Sequence, residues 1–441
     1  MGRKHKKSTR PRQTVIDTVV TDRISCLPGH VIDQILSYLP IREAVRTSVL
    51  SKIWKNKWYT LPNLVFDKQG VALEGSLVNK SKLVRIVDHV LLLHSGPINM
   101  FKFSQYDIID EFFFTDIDRW ILHLIGRCVK ELVLEIIDQE EEYYKIPWCL
   151  FSCQSLHHLK LQCCWLNPLG VFEGFRNLKS LDLSFVTMAQ DAFENMISGC
   201  PLLEKLKLAE VDGLTQINIH ALNLKIFEVF GEFEGINFDN TFQLVTVIMN
   251  LRLNLSPENN QSTLHGRSSN LLDFFNRRPH LQSLVIGSCF LKYLAAGLLP
   301  RKLPTPCIGL TYLSLSINFD DLKEISAALC LLKSSPNLKK LEISARIEHH
   351  TVPLTPVSVY DWDDTFSKPA TPIPVRHVTI HRISGFQPEL DFIRFLLLYS
   401  LVLEKLIVKP IVNVRPELVP ELIRFKRASG DAEVIYQVED S

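Results

Sequence analysis

Residues 178–208 read LKSLDLSFVTMAQDAFENMISGCPLLEKLKL. Within them Leu178, Leu181 and Leu183 recur as Leu203, Leu206 and Leu208, so an apolar residue stands first, fourth and sixth in each copy. The last two positions are i and i+2, the one-face spacing of a short strand, and the first enters from the preceding turn. Between the copies Asp191 precedes Phe193, Met196 and Ile197 at helical spacing, and Gly199 stops the run. One strand and one helix in so short a unit cannot close a core, so such units must be stacked.

The pattern extends outward in both directions. Clear copies are Leu156/Leu159/Leu161, Leu281/Leu284/Ile286, Leu310/Leu313/Leu315, Leu338/Leu341/Ile343 and Leu403/Leu406/Val408. Weaker ones are Ile98/Phe101/Phe103, Val129/Leu132/Leu134, Leu224/Phe227/Val229, Leu244/Val247/Met249 and Val375/Val378/Ile380. Most intervals fall within or near the leucine-rich period of roughly 20–29 residues. Helical stretches are expected after Ser81 (Leu83, Val84, Val87, Val90, Leu91), after Asp116 (Ile117, Trp120, Ile121, Leu124) and after Asp320 and Asp321 (Leu322, Ile325, Leu329, Leu332). The expected fold class is α/β: a curved leucine-rich-repeat solenoid over 75–345, with a strand and a helix per unit and a concave parallel sheet. Two intervals are stretched by loops, Asn250 to Asn270 and Ser344 to Pro374, the latter proline-rich with Tyr360, Trp362 and three aspartates.

A different pattern occupies 22–67. Pro28 suits a first helical turn, and Val31, Ile32, Ile35, Leu36 and Leu39 share one helix face before Pro40. A second helix is expected with Ile41, Ala44, Val45, Ser48 and Val49 on one face, and a third carrying Trp54, Trp58 and Leu61 before Pro62. These residues hold more apolar surface than three short helices can hide. The Leu27-Pro28 pair, the run Ile35 to Leu39, the segment Val49-Leu50-Ser51 and the tryptophans resemble a plant F-box, with Ile53 in place of a common arginine and Gly29-His30 in place of a usual acidic pair. The later stretch holding Leu390, Phe392, Phe395, Leu396, Leu397 and Leu403 to Leu406, then Phe425, Arg427, Ala428, Ser429, Glu433 and Val434, resembles the FBD segment that closes plant F-box/LRR proteins.

The resemblance implies a basic tail over 1–21, an F-box over 22–67, a solenoid, a long loop over 346–374 and an FBD segment over 375–441 that continues the solenoid. It also implies a substrate receptor of a Skp–cullin–F-box ubiquitin ligase. The Skp-type adaptor, and through it the cullin scaffold, would be held by Leu27, Pro28, Val31, Ile32, Ile35, Leu36, Leu39, Val45, Val49, Leu50, Trp54 and Trp58. The target would lie on the concave face, on His158, Lys160, Lys205, Lys207, Tyr312 and Lys340, with Tyr360 and Trp362 of the long loop. There the lysines could meet an acidic or phosphorylated peptide. Two other readings fit the same features: a receptor that uses a small molecule or inositol phosphate as glue, and a scaffold without a role in degradation.

Composition narrows the classes. A hydrophobic fraction of 46% and a net charge of +1 describe a globular chain, and the basicity is concentrated in Arg3, Lys4, Lys6, Lys7, Arg10 and Arg12. That tail reads as an import address to the nucleus, with the cytoplasm as the alternative, and nucleic-acid binding ranks behind both. No secretory core or membrane-length apolar run is present. No cofactor is expected: phosphate loops, H-E-x-x-H helices, nucleophile elbows and zinc-spaced clusters are absent. Cys128, Cys149, Cys163, Cys200 and Cys330 sit among apolar repeat positions and read as buried thiols, whereas Cys26 and Cys307 are expected at the surface. The chain is therefore expected to be non-catalytic.

Overall fold

The computed structural model describes residues 24, 26–67, 80–105, 111–136, 143–167, 174–233, 235–252, 274–275, 280–288, 290–295, 299–346, 372–411 and 418–437. It opens with helices α1 (Gly29–Ser37) and α2 (Ile41–Arg46), each following a proline whose extended backbone sets the entry. A 3-10 turn, Thr47–Val49, prolongs α2.

The expected third helix is not formed. Residues 52–56 are turn and only Lys57–Thr60 is 3-10 helical, because Leu61 is already extended ahead of Pro62 and the chain passes directly into strand β1 (Asn63–Phe66). The i, i+4, i+7 spacing of Trp54, Trp58 and Leu61 nevertheless brings all three into the core, and the Trp54 indole N–H closes the turn by donating to the Ile24 carbonyl.

The remaining strands are β2 (Met100–Gln105), β3 (Glu131–Ile136), β4 (Tyr144–Lys145), β5 (His158–Leu166), β6 (Ser180–Met188), β7 (Lys205–Asp212), β8 (Gln216–His220), β9 (Ile226–Glu232), β10 (Gly235–Asp239), β11 (Thr246–Arg252), β12 (Ser283–Ser288), β13 (Tyr312–Asn318), β14 (Lys340–Arg346), β15 (His377–Ile383), β16 (Lys405–Pro410) and β17 (Glu433–Tyr436). All except β8 and β10 belong to one sheet, ordered β1-β2-β3-β5-β6-β7-β9-β11-β12-β13-β14-β15-β16-β17, with β4 alongside β5. The last two residues of every repeat copy named above lie in one of these strands, and the copies stay in register: Leu159 pairs with Leu181, Leu181 with Leu206, and Leu206 with Phe227. Their side chains form a single continuous buried cluster. Units are joined at the strand entrances, where one carbonyl serves two successive N–H groups of the next unit, as Lys179 does for Glu204 and Lys205. Asn177, Asn223 and Asn337 reach back to the carbonyls of Gln154, Pro201 and Ile308, satisfying turn acceptors that no strand can reach.

The other layer contains the helices α3 (Lys80–Leu93), α4 (Glu111–Gly126), α5 (Gln190–Ser198), α6 (Phe290–Leu294), α7 (Leu322–Ser334), α8 (Gln387–Tyr399) and α9 (Leu418–Arg424). The expectation of a helix in each unit fails after β3, where β4 is followed only by the 3-10 turn Trp148–Ser152, and again after β7 and β9. In the latter two the unit is too short for a helix and its two turns, and the five-residue strands β8 and β10 pair parallel in a second sheet. An extended residue spans roughly 3.3 Å against 1.5 Å in a helix, so few residues suffice to return the chain.

Two helices are held by buried carboxylates. In α8, Glu389 accepts the N–H groups of Ser384, Gly385 and Phe386 and the Ser384 hydroxyl. In α7, Glu324 accepts the Asn318 N–H and the Arg346 guanidinium. Glu389→Ala strands buried donors and is expected to lower unfolding free energy by about 1–3 kcal/mol, with Glu389→Gln milder, in a denaturant titration.

Candidate protein-docking surfaces

The N-terminal helices divide their apolar residues between two sides. Ile32 and Leu36 point inward from α1 and are 0% exposed, in the same cluster as Trp54, Trp58 and the strand residues Leu64 and Phe66. The opposite side carries Ile24, Pro28, Ile35 and Tyr38, then Val49, Leu50 and Ile53, with Tyr38 79% and Val49 88% exposed. An ion pair of Lys57 with Asp33 at 3.1 Å ties α1 to the 3-10 turn, so the exposed side chains sit on a fixed frame. The frame is anchored to the sheet, where the Ser95 and Asn99 N–H groups donate to the carbonyls of Tyr59 and Pro62. His94 Nε2 lies 2.8 Å from the Leu61 carbonyl.

The twelve residues assigned to adaptor docking therefore separate. Pro28, Ile35, Val49 and Leu50 are exposed, and Leu27, Val31, Leu39 and Val45 are half-buried. Ile32, Leu36, Trp54 and Trp58 are buried and shape the face without lying on it. Ile24, Tyr38 and Ile53 are exposed apolar residues outside that set. The available signal was Ile53 itself, an apolar residue at a position that commonly carries charge.

The face of the sheet opposite the helices presents the residues flanking the second leucine of each copy, in rows across the strands. One row runs His158, Ser180, Lys205 and Ile226, and the next Lys160, Asp182, Lys207 and Glu228. The four lysines expected to meet an acidic peptide each lie beside a carboxylate. Lys160 bonds Glu135, Lys205 lies 3.1 Å from Glu228, Lys207 lies 3.8 Å from Asp182, and Lys340 lies 2.7 Å from Glu342. Parallel register sets the first three pairs side by side, Lys340 and Glu342 stand two apart on β14, and in each pair the charges offset one another. Burial would raise the Glu135 carboxyl, but the Lys160 and Ser104 bonds outweigh it and hold it low. Tyr312 is pushed up to about 12 by burial and by donating to Glu342, and the Lys340 ammonium stands 5.3 Å over its ring. His158 is half-buried, which lowers its pKa and favours the neutral ring. Tyr360 and Trp362 lie outside the described residues, as do the six basic residues of the tail.

Comparison with known proteins settles the family. An F-box domain profile matches residues 24–66, and a profile described as the LRR repeats of FBD-associated F-box protein At5g56370 matches residues 117–343. The F-box/FBD/LRR-repeat protein At1g13570 of Arabidopsis thaliana is 37% identical over 426 residues, which cover 94% of this chain and 98% of that protein. The chain belongs to the F-box/FBD/LRR-repeat family. Other similar Arabidopsis thaliana proteins are F-box/LRR-repeat protein At3g59200, 35% identical over 44% of this chain and 38% of its own length, and FBD-associated F-box protein At5g38590, 28% identical over 79% and 83%. In this F-box/FBD/LRR-repeat protein, F-box residues 24–66 span both the exposed apolar side and β1, so the F-box supplies the first strand of the repeat sheet.

The thiols of this F-box/FBD/LRR-repeat protein fall partly as expected, with three corrections. Cys149, Cys200 and Cys330 are buried, whereas Cys128 is exposed and Cys163 half-exposed. Both adopt left-handed backbone, at φ 55° and 54°. Cys128 caps the end of α4, and Cys163 lies opposite Phe185, which is also left-handed, with the β5–β6 register unchanged on either side of the pair. Cys307 is half-buried and burial pushes its thiol up to about 12. Among the described residues no group of three or more potential metal ligands occurs, and no helix is long and apolar enough to cross a membrane.

Proposed function

We propose that this protein is the non-catalytic substrate-recognition subunit of a Skp–cullin–F-box ubiquitin ligase. A Skp-type adaptor docks on the apolar side formed by Pro28, Ile35, Tyr38, Val49, Leu50 and Ile53, and a target protein is taken by the repeat and FBD region for ubiquitination and proteasomal degradation. The observation that carries the reading is the placement of these apolar side chains on the solvent side of an F-box whose other side is packed into the repeat core. F-box domains in general bind adaptors of this kind, and the gain comes from proximity: the target is held near a charged conjugating enzyme.

The paired charges on the strand face favour a protein target over an inositol phosphate, since a polyanion would have to displace Glu135, Asp182, Glu228 and Glu342 from their lysines. Proximity labelling in cells with and without proteasome inhibition tests the proposal. An adaptor and cullin among the labelled proteins, with further proteins enriched only under inhibition, support it. Labelling without adaptor or cullin contradicts it and favours a scaffold. Localisation belongs to the same proposal: removing residues 1–13 is expected to shift a fluorescent fusion from nucleus to cytoplasm with adaptor capture intact, and an unchanged distribution would contradict import by the tail.

A further inference from the structure

The two ends of the long sheet are finished differently. At the first, Leu64 and Phe66 of β1 are fully buried in the cluster that contains Trp54, Trp58 and Leu61, so the F-box closes that end. At the other, β17 stands last in the strand order, and among the described residues no strand pairs with its outer edge. Leu406 and Val408 of β16 are 0% exposed, but their register partners Val434 and Tyr436 remain half-exposed, with no further strand beyond them among the described residues. Val419 and Ile423, at i and i+4 on α9, are exposed in the same terminal unit, and Phe425 is half-exposed. Stacked repeats need a finished terminal unit, and this one exposes apolar side chains beside an unpaired strand.

The backbone defines what can pair there. The N–H groups of Glu433 and Gln437 donate to the β16 side, to the carbonyls of Glu404 and Val408. Residues of a strand in a parallel pair alternate in direction, so Val434 and Tyr436 turn their N–H and C=O groups to the open edge. We infer that β17 pairs antiparallel with the β17 of a second copy of this chain, about a two-fold axis through Ile435. In that register Val434 of one copy opposes Tyr436 of the other, twice, so the outward backbone groups meet and the two half-exposed inward side chains cover each other. Ile435 meets its own counterpart, and Glu433 opposes Gln437, so no like charges are opposed. A register centred on Val434 would instead set Tyr436 against Ala432 and leave the ring uncovered. The antiparallel pair is isologous and closes as a dimer, whereas a second copy added parallel would leave a fresh edge and propagate.

The F-box lies thirteen strand spacings away along the sheet path, roughly 60 Å at about 4.8 Å each, so pairing leaves both F-box faces free. A four-residue edge with a few apolar neighbours buries less than the roughly 800 Å² per partner of a standard interface, so the association is reversible and concentration-dependent.

Sedimentation velocity of the full chain over a dilution series tests this. The wild type is expected to shift from monomer to dimer with concentration. Val434→Pro removes an edge donor without touching the β16 pairing, and Ile435→Lys places like charges across the axis at a half-exposed position; each is expected to weaken dimerisation about tenfold or more. Unchanged melting temperature in Ile435→Lys separates lost pairing from lost folding should the proline variant unfold. A wild type that is monomeric throughout, or a dimer equally strong in both variants, would overturn the inference. Adaptor capture is expected to be the same in all three proteins, so failure here is distinct from failure of the proposed function.

Discussion

Val49→Asp combined with Leu50→Asp is expected to abolish capture of a Skp-type adaptor while leaving the melting temperature nearly unchanged. Both residues are exposed, Val49 almost completely, so their replacement removes little internal packing. At an interface each such side chain contributes about 1.5–3 kcal/mol by leaving water, or roughly ten- to a hundredfold in affinity, and a desolvated aspartate adds a further cost. Ile32→Ala and Leu36→Ala serve as the contrast. Those side chains are wholly buried, so each is expected to cost about 2–5 kcal/mol of folding stability and to reduce capture only in proportion to the unfolded fraction. A binding isotherm and a denaturant titration on the same four proteins decide between the two behaviours. Capture retained by the double aspartate variant would move the docking site off this side of the F-box.

The second large effect concerns the joint between the F-box and the sheet. Trp58 is buried with Leu61, Leu64 and Phe66, and its ring packs edge-on to Tyr59 at 4.5 Å. Trp58→Ala is expected to cost about 3–5 kcal/mol, because the cavity opens where the two parts share one core. Amide exchange should then accelerate together in α1 and in β1 and β2, since β1 pairs with β2 along its whole length. If α1 alone exchanged faster while β1 and β2 kept their protection, the F-box would be an independently folded appendage and the shared core would be of little consequence.

The repeat was legible because its signal is doubly constrained: an i, i+2 apolar pair preceded at fixed distance by a third apolar residue defines both strand face and entering turn. The same signal is present in Leu61, Leu64 and Phe66, the copy that forms β1, but Leu61 also fits a helix ending at Pro62. The strands of the second sheet were missed for a related reason. Gln216 to His220 alternates, with Ile217 and Ile219 buried, yet a helix was the expectation wherever a unit turned back. Helical spacing grouped Ile32, Ile35 and Leu36 on one stripe but could not say that Ile32 and Leu36 serve the shared core while Ile35 is left exposed. Lysines on the strand face were visible one strand at a time. For Lys160, Lys205 and Lys207 the neighbouring carboxylate depends on register across strands, which a linear reading does not supply, whereas Lys340 and Glu342 stand two apart on β14.

The central claim is that the protein presents one apolar side of its F-box to an adaptor and keeps the rest of the chain for other partners. Hydrogen exchange of the full chain with and without a Skp-type adaptor tests it most directly. Protection confined to residues 29–38 and 47–53, with β2 to β17 unchanged, is the expected result. Protection on the strand face, or none at residues 29–38 and 47–53 under saturating adaptor, would contradict it.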